Sequence, residues 1–274
     1  MRSGVLTAVL LVFGLIDVAR AAMLPRWELG VGAAGISMPE YRGADESTRF
    51  VLPFPLFVYR LDWLKADRSG VRATLLESAR TEVNLSVNAG PPVRSKNNRA
   101  REGMPDIKPM VEFGPSLEIK LWQPEPDGPQ LRALMPVRAA FTVQSRPRVA
   151  GWVFQPRLNL DLPKLGGSWN VGLLAGPVFA TRRQHAYLYD VDAAHARSDR
   201  PAYQAKGGYS GTQFLASVSR KSGATWFGAY ARYDNLRGAA FADSPLVRRR
   251  NYFTTGFAVT WTLARSSELV ESPD

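Results

Sequence analysis

The chain has 274 residues, no cysteine and a formal net charge of +11 at pH 7. Disulfide frameworks and thiolate metal sites are therefore excluded, and an exported protein of this sequence must be held by its fold alone. The positive balance admits nucleic acid, anionic lipid or acidic glycan as partners, but the densest cationic cluster is Arg248-Arg249-Arg250, which is no nucleic-acid block.

The N-terminus reads as an export signal, which also argues against a nucleic-acid partner. Arg2 supplies a short positive region, residues 5–16 an apolar core, and Ala19-Arg20-Ala21 an A-x-A cleavage box. The cut is expected after Ala21, with Ala22 as the alternative. Losing two arginines and one aspartate, Asp17, leaves a mature chain of +10. A membrane helix needs about 20 apolar residues; this run is shorter, and no later segment is apolar enough. The expected division is a signal peptide over 1–21, an outer-membrane β-barrel over 22–265 and a polar C-terminal tail over 266–274.

From residue 27 onward the hydropathy alternates with period two. Strands are expected at 27–35, 50–60, 63–68, 70–77, 81–90, 110–122, 130–143, 151–162, 169–181, 208–220, 224–236 and 252–265. In the fifth, Val83, Leu85, Val87 and Ala89 oppose Glu82, Asn84, Ser86 and Asn88. In the eighth, Trp152, Phe154, Leu158 and Leu160 oppose Val153, Gln155, Arg157 and Asn159. Alternation over about ten residues is what a tilted membrane strand needs. The fold class is all-β, a transmembrane antiparallel up-and-down barrel of about 12 strands, or ten if 63–77 forms no hairpin. Gly114-Pro115 and Gly176-Pro177 fall inside strands. Proline cannot donate to a ladder, so bulges or irregular pairing are expected there.

The connections sort by parity. With the N-terminus in the periplasm, the periplasmic links are short (61–62, 78–80, 123–129, 163–168, 221–223). The outer ones are long (36–49, 91–109, 144–150, 182–207, 237–251), Ser69 excepted. Long loops outside and short turns inside are the outer-membrane pattern. Trp27, Trp63, Trp122, Trp169, Trp226 and Trp261 fall near the periplasmic strand ends and Trp152 near the outer end, where an interfacial girdle is expected.

Two stretches resemble the MltA-interacting protein family (MipA/OmpV) of outer-membrane proteins. One is WELGVGAAGISMPEYRGADES from Trp27 with the following LPFPLFVYR to Arg60. The other is NRAREGMPDIKP from Asn98, leading into VEFGPSLEIKLW to Trp122. The resemblance covers nearly the whole chain and implies outer-membrane location and a scaffolding role. The implied partners are outer-membrane lipid, a lytic transglycosylase and a penicillin-binding protein; relatives are described as antigens or adhesins. The polar tail ending at Asp274 departs from the aromatic terminal residue usual for such barrels.

No catalytic site, cofactor or metal is expected. His185 with Ser210 is the one nucleophile–base pairing to consider, but no G-x-S-x-G elbow supports it, and both His185 and His195 are read as exposed loop histidines. Asp190, Asp192, His195 and Asp199 lack calcium-loop spacing and read as a solvated loop. Gly30-x-Gly32 precedes no helix and is no phosphate loop. In the 98–108 loop, Asn98, Arg99, Arg101, Glu102 and Asp106 are candidates for binding a partner; an ordered loop held by internal pairs is the alternative.

With the apolar faces turned to lipid, the inward set includes Glu82, Glu112, Glu118, Lys120, Arg132, Arg138, Arg157, Asp161, Arg232 and Asp234. Such mixed charges either line a channel for small solutes or pair with one another. Within it, Glu112, Glu118, Arg132, Arg138 and Asp161 are the candidate charge network. The expected register sets Glu118 and Asp161 opposite Arg132, and Glu112 and Gln155 opposite Arg138.

Overall fold

The computed structural model describes residues 23–59, 64–67, 70–78 and 80–271. The expected signal peptide, the 61–62 link, Trp63, Ser69 and residues 272–274 lie outside them.

The chain forms β1 (Met23–Pro25), β2 (Trp27–Pro39), β3 (Ser47–Tyr59), β4 (Leu64–Asp67), β5 (Gly70–Glu77), β6 (Thr81–Gly90), β7 (Met110–Trp122) and β8 (Gln130–Thr142). Then follow β9 (Val149–Phe154), β10 (Arg157–Leu165), β11 (Trp169–Ala180), α1 (Arg182–Tyr189), β12 (Gly208–Ser222), β13 (Thr225–Asn235), β14 (Asn251–Arg265) and β15 (Leu269–Glu271). A 13-stranded antiparallel sheet runs β3-β2-β14-β13-β12-β11-β10-β8-β7-β6-β5-β4, with β9 also pairing β8 and β11. β9 and β10 thus form one stave broken at Gln155-Pro156, and among the described residues the wall has the twelve expected staves. The first and last staves, β2 and β14, pair along Thr255↔Ser37 to Arg265↔Glu28. The two ends of the path, β3 and β4, are neighbours in the chain. This is an up-and-down barrel, in which backbone polar groups are satisfied by pairing between successive strands.

The inside and outside are reversed relative to a water-soluble protein. On β14, Phe253 (65%), Phe257 (46%) and Trp261 (43%) are exposed, while Tyr252, Thr254, Ala258 and Thr260 are buried. Asn84, Ser86, Ser116, Glu118, Arg132, Arg138, Asn159, Gln213 and Asp234 are all buried. The alternation read from sequence is this two-faced wall, apolar to the bilayer and polar to the lumen.

Both glycine–proline pairs interrupt a ladder. Between β7 and β8 the rungs stop at Phe113↔Ala139 and resume at Ser116↔Pro136. Between β11 and β12 the register shifts after Pro177. At Gly176 a Cβ would sit 2.1 Å from the Pro156 carbonyl oxygen, so the strands cross too closely there for any side chain.

The register differs from expectation by two residues on both sides of β8. Arg132 lies opposite Lys120 on β7 and Asn159 on β10. Glu118 is opposite Leu134, and Arg138 opposite Val153. A two-residue slip preserves which face each residue occupies, so hydropathy alone does not separate the two registers. Trp226 is a second departure. Its ring folds inward over Gly228, whose absent Cβ would lie 2.0 Å from Trp226 Cη2, whereas Trp122, Trp152 and Trp261 stay exposed. Residues 266–271 of the expected polar tail do not hang free. β15 pairs antiparallel with β1 through Leu24↔Val270, and Arg26 meets Glu268 at 3.1 Å.

Candidate functional site

Among the described residues the barrel wall holds a small buried apolar cluster, Met110, Ala140 and Ala150. The large cluster of buried apolar side chains is built from loops at the end bearing the long connections. It joins Tyr41 and Ala44 after β2, Val93, Ala100 and Ile107 after β6, Tyr189, Val191 and Ala205 after β11, and Leu236, Phe241 and Leu246 after β13. Four loops thus bury apolar side chains against one another, forming a cap with its own hydrophobic interior.

α1 is the centre of that cap. His185 and Tyr189 are four residues apart and so share a helix face. Both meet Phe241: Tyr189 stacks on it at 3.8 Å with 6° between the planes, and His185 meets it edge-on at 4.7 Å. Tyr189 donates its hydroxyl to the Arg42 carbonyl and Tyr41 to that of Leu246, so the first loop is bound to the third and fourth. Burial pushes the Tyr41 and Tyr189 phenols up, which keeps both protonated as donors.

The residues expected to present a partner-binding loop are instead mostly engaged within the cap. Asn98 donates to Glu40 at 2.8 Å and accepts from the Arg101 amide. Arg101 lies 5.8 Å over the Tyr41 ring and donates to the carbonyls of Leu188 and Pro105. Burial lowers its pKa. Asp106 accepts from the Ser95 amide. Arg99 and Glu102 lie nearer the surface, Arg99 paired with Glu46 at 2.9 Å and Glu102 with Arg197 at 3.8 Å.

His185 overturns its expected exposure: it is 2% exposed. Its Nδ1 is 2.6 Å from the Lys206 carbonyl, which only accepts, so Nδ1 carries the proton. Nε2, 2.6 Å from Ser210 Oγ, then accepts the serine proton. Burial, and after it the charge of Arg42, lower the His185 pKa despite the Lys206 bond. Sequence alternation hides this contact, because Ser210 shares parity with outward Thr212 and Phe214. A bulge corrects the parity. Pro177↔Thr212 is followed by Phe179↔Tyr209, leaving two β12 residues against one on β11. Gly211 takes φ +103° at that point, a conformation disfavoured for other residues. The pair of His185 and Ser210 fastens α1 to the wall.

His195 is half-buried. Asp190 accepts from the Ala205 amide and Asp199 pairs with Arg197. Among the described residues no three metal-ligating side chains cluster.

Below the cap, polar side chains form a belt around the inner wall. Asn88 on β6 donates to Glu112 on β7, which accepts from Arg138 on β8. Arg138 donates to Gln155 at 2.8 Å, Gln155 to Gln213 on β12 at 2.6 Å, and Gln213 to Asp234 on β13 at 2.7 Å. Asp234 also takes Arg232 at 2.8 Å and stands 3.4 Å from Arg42 Nε. Nearer the short-turn end, Arg132 reaches Glu118 and Asp161, both at 2.6 Å. Asn159 shares the Asp161 oxygen. Asn88 lies directly opposite Glu112, and Gln213 opposite Asp234, whereas Arg132 and Arg138 reach their partners along the diagonals of the ladder. The part of the belt that crosses from Gln155 to Gln213 over the small residue Gly176 carries no sequence signal.

A cavity of about 430 Å³ runs from the cap past the belt into the lumen, lined among others by Arg42, Met110, Arg138, Leu174, His185, Gln213, Arg232 and Tyr252.

The fold is similar to several solved structures, all at low identity. A bacterial polysaccharide outer membrane secretin is 8% identical, with 86% of this chain and 99% of that chain covered and a TM-score of 0.44. The NanC porin is 7% identical over 86% and 99%, with a TM-score of 0.36. An outer membrane channel from Pseudomonas putida F1 is 12% identical over 91% and 100%, with a TM-score of 0.35. No curated protein sequence matches the chain. The family model described as MltA-interacting protein MipA matches residues 31–263, a span from the first barrel stave to the last that includes both cap and belt. The chain therefore belongs to the MipA family of outer-membrane proteins.

Proposed function

We propose that this outer-membrane barrel is a non-enzymatic interaction protein that docks murein-cleaving and murein-synthesising enzymes at its periplasmic rim. The observation that carries this reading over a passive channel is the cap. Four loops bury a shared apolar core across the long-loop mouth, whereas a conduit for solutes needs that mouth open. The family's description supplies the partner class, an MltA-type lytic transglycosylase; the penicillin-binding protein rests on resemblance alone. The orientation that serves this role puts the termini and short turns in the periplasm. There the β1–β15 ribbon, with its Arg26–Glu268 pair, stands on the rim beside the turns.

The test is affinity purification of the tagged protein from detergent-solubilised envelopes, read by mass spectrometry, alongside single-channel recording in planar bilayers. Recovery of a lytic transglycosylase and a penicillin-binding protein, with no stable conductance steps, is the expected result. Steady conductance with neither enzyme retained would replace the scaffold reading with the channel reading.

A further inference from the structure

The cavity under the cap has two unlike sets of lining side chains. Met110, Val153, Leu174, Val178 and Leu215 line one part of it, although the inner wall of this barrel is otherwise largely polar. The other part is cationic. Arg42 and Arg232 share one carboxylate, Asp234. The cavity-lining side chains include four guanidiniums (Arg42, Arg138, Arg157, Arg232) and two carboxylates (Glu40, Glu112). Arg42 and Tyr252 are side-chain neighbours within reach of each other. Yet Arg42 Nη2 and Tyr252 Oη are buried without completing a hydrogen bond, and Arg42 Nε has only its long 3.4 Å approach to Asp234. Leaving buried polar atoms unsatisfied is costly, and a bound water, ion or ligand is one way in which a native fold relieves that cost. Guanidinium and phenol are both donors, and a negatively charged oxygen acceptor gains most from them. The volume is in the range of small-molecule sites, which pair apolar walls with a few convergent polar groups.

We propose that this cavity binds a small organic carboxylate. Its carboxylate group is seated by Arg42 and Tyr252, and its compact apolar body rests on Met110, Val153, Leu174, Val178 and Leu215. The proposal is independent of the docking role, since the cavity lies in the lumen and not on the outer surface of the rim.

The test is isothermal titration calorimetry on the full-length folded protein in detergent. The probes are cyclohexanecarboxylate, its neutral counterpart cyclohexanecarboxamide, and inorganic phosphate. We expect one saturable site for the carboxylate, with the amide and phosphate each at least ~10-fold weaker, because one lacks the charge and the other the apolar body. Arg42→Gln should weaken carboxylate binding ~10-fold or more. Should that variant fail to show the gel mobility of a folded barrel, Tyr252→Phe tests the head site and Leu174→Trp, which fills the apolar wall, tests the body site; each should weaken the carboxylate. Equal affinity for acid and amide, phosphate binding as tight as the acid, unchanged affinity in the folded variants, or no saturable heat at millimolar acid would each overturn the proposal.

Discussion

Arg132 shows how a single luminal residue is specified by its face and then by its reach. Its Cα neighbours are Lys120 and Asn159, a like charge on one side and an amide on the other. The guanidinium instead extends diagonally to Glu118 and Asp161, at 2.6 Å each. With side-chain exposures of 11%, 3% and 22%, the three groups are largely out of water. Removing one partner of a desolvated charge set costs about 3–5 kcal/mol, because the remaining carboxylates are left buried. We expect Arg132→Ala to lower the temperature at which the barrel loses its folded gel mobility, and Arg148→Ala, in an exposed loop, to leave it nearly unchanged. Equal shifts would show that water, not Arg132, satisfies Glu118 and Asp161. That these residues face inward was legible from parity. Which atoms touch was not, because side chains this long bridge registers two residues apart.

At the level of elements, α1 and the bulge in β12 act together. The helix sets His185 and Tyr189 on one face, and the bulge turns Ser210 inward to meet Nε2. Their contact has a pH dependence with a definite sign. Burial holds the His185 pKa below its ordinary value, so the folded cap keeps a neutral imidazole where an opened loop would bind a proton. Stability of the cap is therefore fully present above about pH 6.5 and is lost as pH falls through the lowered folded value. Protease cleavage within 182–207 should accelerate as pH drops below that window while the strands stay protected, and His185→Gln should flatten the profile. A wild-type rate independent of pH between 7.5 and 4.5 would mean that the histidine does not hold the cap. A helix of eight residues inside a loop was invisible to a reading tuned to period two. The bulge was equally hidden, since Gly211 is one of 23 glycines and its positive φ is fixed only by the neighbouring strands.

At the level of the whole molecule, the sorting of long and short connections gives the barrel a direction. Asn97 and Ala194 lie exposed on the cap, and Gly167 lies exposed in a short turn at the opposite end. On intact cells, cysteines at Asn97 and Ala194 should react with a membrane-impermeant maleimide and one at Gly167 should not. The opposite pattern would place the cap in the periplasm and remove the basis for docking at the short-turn rim.

The sequence by itself determined the staves, their two faces and their order around the wall. A strand's faces alternate with strict period two, a bilayer demands that one face be apolar, and chain neighbours pair when the links are short. Its connecting segments were long enough to be noticed but carried no period to read. Tertiary structure alone decided that four of them pack into a cap, that Asn98, Arg101 and Asp106 brace it, and that His185 is buried against Ser210. Several of those contacts join residues far apart in the chain, Arg101 with Leu188 at 87 positions and Tyr41 with Leu246 at 205. Burial there depends on which loops the closed barrel brings to the same rim, and closure is a property of the whole ring of strands rather than of any segment within it.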